Sequence, residues 1–346
     1  MGATIKQIAE MAGVSIGTVD RVIHGRGHVK PETSERIMSI CKALDYSPSR
    51  AGRQLAVCKQ PLKLGIICPY MGQEGIWSVL AQGIEAAIQE LKEYNLELYM
   101  RHFEYYLPKD QMRILDELAE EHLDGLAIVP MNDPEICARL KVLAAAGTSV
   151  VLLNSEVEGF EPLAYVGSDY LSAGRTVAGL FDLLVRGSVL RPLIFYGTKH
   201  MLSQQLRVAG LRGELVALGR EFEEIGPYQI TTEPEIAYEQ SYRQLEEHPE
   251  ANAVFTVGGR VDAVCRAIEA LGRQKELVHI GYDLSPTICK HLQRRSITVA
   301  IGQEAYRQGY QAIKLLVEYR LFQTPPESTR LITHNEIFIR QNAAQM

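Results

Sequence analysis

The chain has 346 residues, 46% of them hydrophobic and 23% charged, which is enough for two or three domains with cores of their own and is an ordinary globular composition. It contains no run of about 18 apolar residues that would cross a membrane and no basic-then-apolar secretory leader; its six cysteines form no CxxC pair, so a reduced cytoplasm is expected. The net charge of −6 argues against a chain that binds nucleic acid along its whole length, yet residues 1–60 hold nine Lys and Arg against five Asp and Glu, while the rest hold 27 against 37. A basic head on an acidic body is the asymmetry expected when only one end meets phosphate.

The spacing predicts a first helix capped by Thr4, with Ile5, Ile8, Ala9 and either Met11 or Ala12 on one face, and stopped by Gly13. Ser15 caps again two residues on, and Val19, Val22 and Ile23 form the apolar side of a second helix ending near Gly25. Pro31 and Glu32 open a third helix, along which Ile37, Ile40, Cys41 and Leu44 recur at spacings of three and four. Two short helices across a tight Gly turn make a helix-turn-helix, whose second helix can lie in a major groove. Helix spacing alone fits a plain three-helix cap equally well.

The stretch TIKQIAEMAGVSIGTVDRVIHG, followed by HVKPETSERI and LDYSPSRAGRQLA, resembles the N-terminal pattern of the LacI/GalR repressor family almost without gaps over residues 4–56. The resemblance puts Thr4, Ser15 and Thr18 on the DNA-binding side, the last two on phosphates, and turns Ile16, Gly17 and Arg21 to base edges. Arginine is shaped to give guanine two parallel hydrogen bonds. The resemblance also implies a hinge at PSRAGRQLA, helical on DNA, with Leu55 as a wedge between base steps and Arg50 and Arg53 as phosphate anchors. Three positions depart from the family. Asp20 replaces a Ser and needs a cytosine amino group or His24 as partner, Gly17 lacks a reading side chain, and Gly52 replaces a hinge Ala at about 1 kcal/mol of helix propensity.

Beyond Pro61, apolar runs predict strands over 63–68, 97–103, 125–130, 149–154, 164–167, 192–196, 253–257 and 279–282, with helices such as 80–94 and 111–121 between them. This is an α/β body with mostly parallel sheets; the strand count favours two doubly wound lobes and a ligand cleft at the strand C-terminal ends. P-loop, Rossmann-glycine, nucleophile-elbow and HExxH patterns are absent. The nine histidines are scattered, and His200, His248 and His291 read as surface residues. No catalytic residue, metal ligand or cofactor is therefore expected.

The body is similar to the type I periplasmic sugar-binding-protein fold that the same family joins to its head, through YVGSDYLSAG, QQLRVAGL, HIGYDLS and VAIGQE in that order. The expected organisation is an all-α helix-turn-helix head (1–47), a hinge (48–62) and an effector-binding and dimerisation body (63–346). Its first lobe would take about 63–168 and 302–325, and its second about 169–301 and 326–346. The resemblance implies a carbohydrate site with Trp77 as stacking platform and Gln73 and Glu74 on the same loop. Asn154 and Asp169 would come from first-lobe strand ends, Arg207 and Asp283 from the second lobe, and Gln303 from the crossover. Gly258 and Gly259 stand where sugar-binding relatives carry Asn-Asp, with Arg260 as a replacement charge, so a bulkier, substituted or acidic sugar is expected rather than plain ribose.

The expected function is thus a sequence-specific transcriptional regulator, a repressor acting on double-stranded operator DNA and controlled by a small carbohydrate-like effector. With no heptad repeat after the last strand, a homodimer is expected rather than a tetramer. The alternative is a metabolite-binding protein of the same fold whose head has weak or lost DNA binding.

Overall fold

The computed structural model describes residues 5–23, 29–44, 61–70, 75–103, 107–187 and 189–343. The chain divides into two compact units, Met1–Pro61 and Leu62–Met346.

The first unit contains helices α1 (Ile5–Ala12), α2 (Ile16–Ile23) and α3 (Pro31–Ala43). Ile8, Ala9, Ala12, Val19 and Ile37 form its core, with Val22, Ile23, Ile40 and Cys41 packed against them. The spacing left Met11 and Ala12 as alternatives; Ala12 points inward and Met11 is 59% exposed. Gly13 turns the chain at φ +63, a left-handed conformation that a side chain would strain. Ser15 Oγ then accepts the Thr18 N–H at 3.2 Å, the N-cap bond its position called for. Thr4, Gly25 and residues 48–60 of the expected hinge, including Arg50, Gly52, Arg53 and Leu55, lie outside the described residues, and Leu62, expected to end the hinge, opens the first strand of the second unit.

The second unit is built on two six-stranded sheets. Strands β1 (Leu62–Pro69), β2 (Leu96–Phe103), β3 (Gly125–Ile128), β4 (Ser149–Leu153), β5 (Ala164–Ser168) and β11 (Arg330–Thr333) make the first, in the order β11-β5-β4-β3-β1-β2. Strands β6 (Pro192–Tyr196), β7 (Ile225–Gln229), β8 (Ala253–Thr256), β9 (Val278–Tyr282), β10 (Val299–Gly302) and β12 (Glu336–Phe338) make the second, in the order β12-β10-β9-β8-β6-β7. All pairs are parallel except β12 with β10. Helices α4 (Ile76–Glu90), α5 (Pro108–Ala119), α6 (Pro134–Ala145) and α12 (Ala305–Phe322) accompany the first sheet. Helices α7 (Tyr170–Leu184), α8 (Leu202–Ala217), α9 (Pro234–Glu247), α10 (Val261–Ala270) and α11 (Pro286–Arg294) accompany the second.

Central strands such as β3 and β4 are covered on both faces, and this is why they read as unbroken apolar runs. The spacing did not predict the buried β10, four residues marked only by the resemblance at VAIGQE, and it also missed β7, β11 and β12. The last three are outer strands, half exposed and interrupted by Gly226, Pro227, Arg330 or Glu336, and an edge strand needs no two-sided apolar run. The helix expected over 80–94 starts earlier, at Ile76, and gives way after Glu90 to a 3-10 turn at Lys92–Tyr94.

Two expectations need correction. Residues 326–346 do not all belong to the second lobe, because β11 pairs with β5, Leu331 opposite Val166, and extends the first sheet; the chain returns to the second lobe only between Thr333 and Glu336. His291 is buried, because α11 packs beside α10 and sets its Nδ1 2.7 Å from Glu269 Oε1 and 3.0 Å from Ser296 Oγ. The chain therefore passes between the lobes three times: after Ser168, after Gly302 and after Thr333.

Candidate DNA-reading helix and effector cleft

In the first unit, the burial of Val19 fixes which way α2 faces. Ser15, Ile16, Gly17 and Arg21 are then exposed, with Ile16 at 54%. Ser15 Oγ lies 2.9 Å from Thr18 Oγ1, so two hydroxyls sit together at the helix start, where unpaired amides and the helix dipole favour an anion. The Arg21 Nε donates to Gly17 O at 3.1 Å, which lays the guanidinium along the helix rather than away from it. Asp20 is half-buried, and His24, one of its two expected alternative partners, lies outside the described residues.

The second unit encloses a cavity of about 580 Å³ between the C-terminal ends of its two sheets, within the range of small-molecule sites. From the first lobe, Trp77 at the start of α4 and Asn154 after β4 reach it. From the second come Arg207 on α8, the loop Gly258–Arg260 between β8 and α10 with Val261 and Asp262 from the first turn of α10, and Asp283 after β9; Gln303 contributes from the crossover. The topology thus brings together six of the nine expected effector residues. Asp169 does not join them. It is exposed, and its Oδ1 accepts the Ser172 N–H at 3.0 Å, because a carboxylate at the start of α7 is used as that helix's N-cap. Gln73 and Glu74 lie outside the described residues.

Arg207 is the best-anchored polar group of the cavity. Helix α7 approaches α8 so closely at Gly174 that a Cβ there would lie 2.0 Å from the Arg207 carbonyl oxygen, and this contact holds the Arg207 backbone beneath the cleft. The Arg207 Nη1 donates to Val257 O at 2.7 Å and its Nη2 to Gln303 Oε1 at 3.0 Å. Its guanidinium lies 3.5 Å from the Tyr282 ring centre and 4.7 Å from that of Tyr170, a stacked arrangement favourable to a cation. Because Arg207 only donates, the Gln303 amide must present its oxygen to it, and Nε2 then donates to Asp283 Oδ1 at 2.7 Å.

Asp283 stands at φ +68, a conformation that Asp tolerates better than most residues. Burial pushes its carboxyl up from 3.8 to about 6, against the opposing pull of Arg207 and the Gln303 hydrogen bond. Arg260 is turned aside to Asp262 Oδ2 at 2.8 Å. The space beside Gly258 is filled from below by Gln204, whose Oε1 accepts the Gly197 N–H at 2.8 Å and whose Nε2 would lie 2.7 Å from a Cβ on Gly258.

Sequence reasoning missed Gln204, Tyr170 and Tyr282. All three lie inside segments already singled out: the two tyrosines in YVGSDYLSAG and HIGYDLS, beside their acidic residues, and Gln204 as the first residue of QQLRVAGL, where only Arg207 was assigned to the cleft. Among the described residues there is no group of three or more His, Cys, Asp or Glu that could hold a metal ion, and no helix long and apolar enough to cross a membrane.

Comparison with known proteins agrees with both halves of this geometry. The family described as "Bacterial regulatory proteins, lacI family" matches residues 4–49, and the "Periplasmic binding protein domain" family matches residues 64–323. The HTH-type transcriptional regulator CelR of Thermobifida fusca is 25% identical over 98% of both chains. The ribose operon repressor of Bacillus subtilis is 27% identical over 91% of both. Among solved structures, a LacI transcriptional regulator of Bacteroides fragilis superposes with a TM-score of 0.73 at 18% identity, covering 83% of this chain and all of the other. A CelR–cellobiose complex superposes at 0.62 and 23% identity, covering 97% of this chain and 98% of the other. A short helix with an exposed, hydroxyl-bearing start in one unit and a two-lobed cleft in the other thus coincide with two family matches in the same order. The chain belongs to the LacI family of DNA-binding transcriptional regulators, with a body of the periplasmic-binding-protein type.

Proposed function

We propose that this regulator is a cytoplasmic homodimeric repressor whose α2 reads operator DNA and whose cleft takes a neutral carbohydrate bulkier than a pentose. In the head, Ser15 and Thr18 hold phosphates while Ile16, Gly17 and Arg21 face bases. The observation that carries the effector reading is the linked series Arg207–Gln303–Asp283, which lines one wall with planar groups of fixed donor and acceptor sense. Vicinal hydroxyls, each able to donate and accept, match such a wall, and Trp77 offers an apolar ring from the other lobe.

A neutral ligand fits better than an acidic one. Asp262, Asp283 and Glu233 all line the cavity against Arg207 and Arg260, and Arg260 is already engaged by Asp262. That CelR has been solved with cellobiose, and that a fold neighbour from Geobacillus stearothermophilus is described as a glucose-galactose binding protein, support a carbohydrate. As in the rest of the family, the output is DNA binding rather than turnover of the ligand.

Trp77 is the only tryptophan of the chain and lines the cleft, so its fluorescence reports ligand entry. Titration with ribose, glucose, galactose, cellobiose and glucuronate should give a saturable change with a neutral hexose or disaccharide and none with glucuronate. Saturation by glucuronate alone would overturn the neutral-sugar assignment. Failure of the full-length protein to shift DNA flanking its own gene would favour the metabolite-binding alternative.

A further inference from the structure

The polar series of the cleft continues behind Gln303. Gln308, in the first turns of α12, is completely buried, and both ends of its amide are engaged. Its Oε1 accepts Asn154 Nδ2–H at 2.9 Å, and its Nε2 donates to Gln303 O at 2.7 Å and to Thr333 Oγ1 at 3.1 Å. The carbonyl of Gln303 only accepts, so the amide cannot be turned round. Thr333 Oγ1 in turn lies 3.1 Å from Ser168 Oγ. Ser168 ends β5, Gln303 follows β10 and Thr333 ends β11, so one buried side chain, directly or through Thr333, ties together all three segments that pass between the lobes. Its third partner, Asn154, lines the cavity at φ +61.

We propose that Gln308 is a positioning residue that makes effector contact at Asn154 and movement of the three crossovers a single event. By accepting one Nδ2–H of Asn154, it fixes which way that amide faces and leaves Oδ1 and the second Nδ2–H as the groups offered to a ligand. By holding Gln303 O and Thr333 Oγ1, it requires the crossovers to move together. A buried amide whose partners lose it is left with unsatisfied groups on several segments at once, and coupling of this kind needs an element that both sites bias. The hinge part of this assignment is independent of ligand identity; the effector part rests on the carbohydrate reading above.

Two full-length variants separate the roles: Gln308→Met, which keeps the shape and loses every bond, and Thr333→Val, which keeps the Asn154 bond. Without sugar, amide hydrogen exchange in Gln308→Met should accelerate at least about tenfold around residues 168, 303 and 333 together, while β8 and α2 keep wild-type rates. Thr333→Val should loosen the segments around 168 and 333 only. In Trp77 titrations with whichever of the sugars named above the wild type takes up, Gln308→Met should bind at least about tenfold more weakly and Thr333→Val within about threefold of wild type. DNA affinity without sugar should stay within about threefold in both. Acceleration in one crossover alone or evenly over both lobes, or wild-type sugar affinity in Gln308→Met, would overturn the proposal. If the wild type takes up none of the sugars, the carbohydrate reading fails and the exchange pattern still decides the hinge assignment.

Discussion

Arg21 and Arg207, the arginines proposed to meet DNA and effector, are held in opposite ways. Arg21 stands exposed on α2, with Nε on a carbonyl of its own helix, and keeps most of its side-chain freedom until DNA arrives. Arg207 is buried, held by Val257 O and Gln303 Oε1 and flanked by two tyrosine rings, so its freedom was lost when the chain folded. A preorganised group binds a ligand without a further ordering cost, but its removal damages the fold as well as the site. An adaptable group can be removed with little effect on the fold. Substitutions at the two positions should therefore differ in kind as well as in size.

The largest effect is expected at Arg207. Arg207→Ala strands Val257 O and Gln303 Oε1 and leaves Asp283 without its nearby positive charge, so denaturant unfolding should register a loss of about 3–5 kcal/mol, as for other broken buried polar networks. Where the variant stays folded, effector affinity should fall by at least about 2 kcal/mol in the Trp77 titration. Unchanged stability would mean that Arg207 is not the anchor the geometry makes it.

Asp283 sharpens the comparison, because its cost and its use should have opposite signs. Its folded pKa, about 6, lies above the ordinary 3.8, so the folded state binds this proton more tightly than the unfolded chain does. The stabilisation is complete below pH 3.8 and is lost as pH rises through 6; the interval corresponds to about 3 kcal/mol. Asp283→Asn should remove that slope and be more stable than wild type at pH 7, while binding effector more weakly for want of a carboxylate acceptor. In the wild type, effector affinity should decline as pH falls below 6. A stability profile parallel to that of the variant between pH 4 and 7 would refute the buried-carboxylate assignment.

At Arg21 the effect should be smallest and confined to DNA. Arg21→Ala should cost about 1–3 kcal/mol on the preferred operator and little on random DNA, with the thermal midpoint unchanged. Equal loss on both DNAs would reduce Arg21 to a phosphate contact.

The same contrast explains what could be read from the chain directly. The head depends on neighbours in sequence: Gly13 between two helices, Ser15 as a cap and Val19 inward are local requirements, and each leaves a local mark. The central strands were legible for a similar reason, since burial on both faces demands a continuous apolar run. The cleft was legible from topology where a strand end carries its residue, as at Asn154 and Asp283, whereas Trp77 and Arg207, which sit on helices, were marked only by the family resemblance. Asp169 occupies an equivalent strand end and faces elsewhere, because a carboxylate in that place caps a helix just as well. Gln308 left no trace at all: its partners are 5, 25 and 154 residues away, and a buried glutamine within an amphipathic helix has no period of its own.

The central claim is that occupancy of the cleft is communicated to DNA binding, and fluorescence anisotropy of labelled DNA from the flanking region, with and without a saturating sugar identified by Trp77 titration, tests it most directly. The wild type should change its DNA affinity at least about fivefold on adding the sugar, and Arg207→Lys, which keeps the charge but not the paired donors, should bind DNA normally and show no change. A wild type that takes up the sugar yet holds DNA with the same affinity, or an Arg207→Lys protein that responds as the wild type does, would contradict the account.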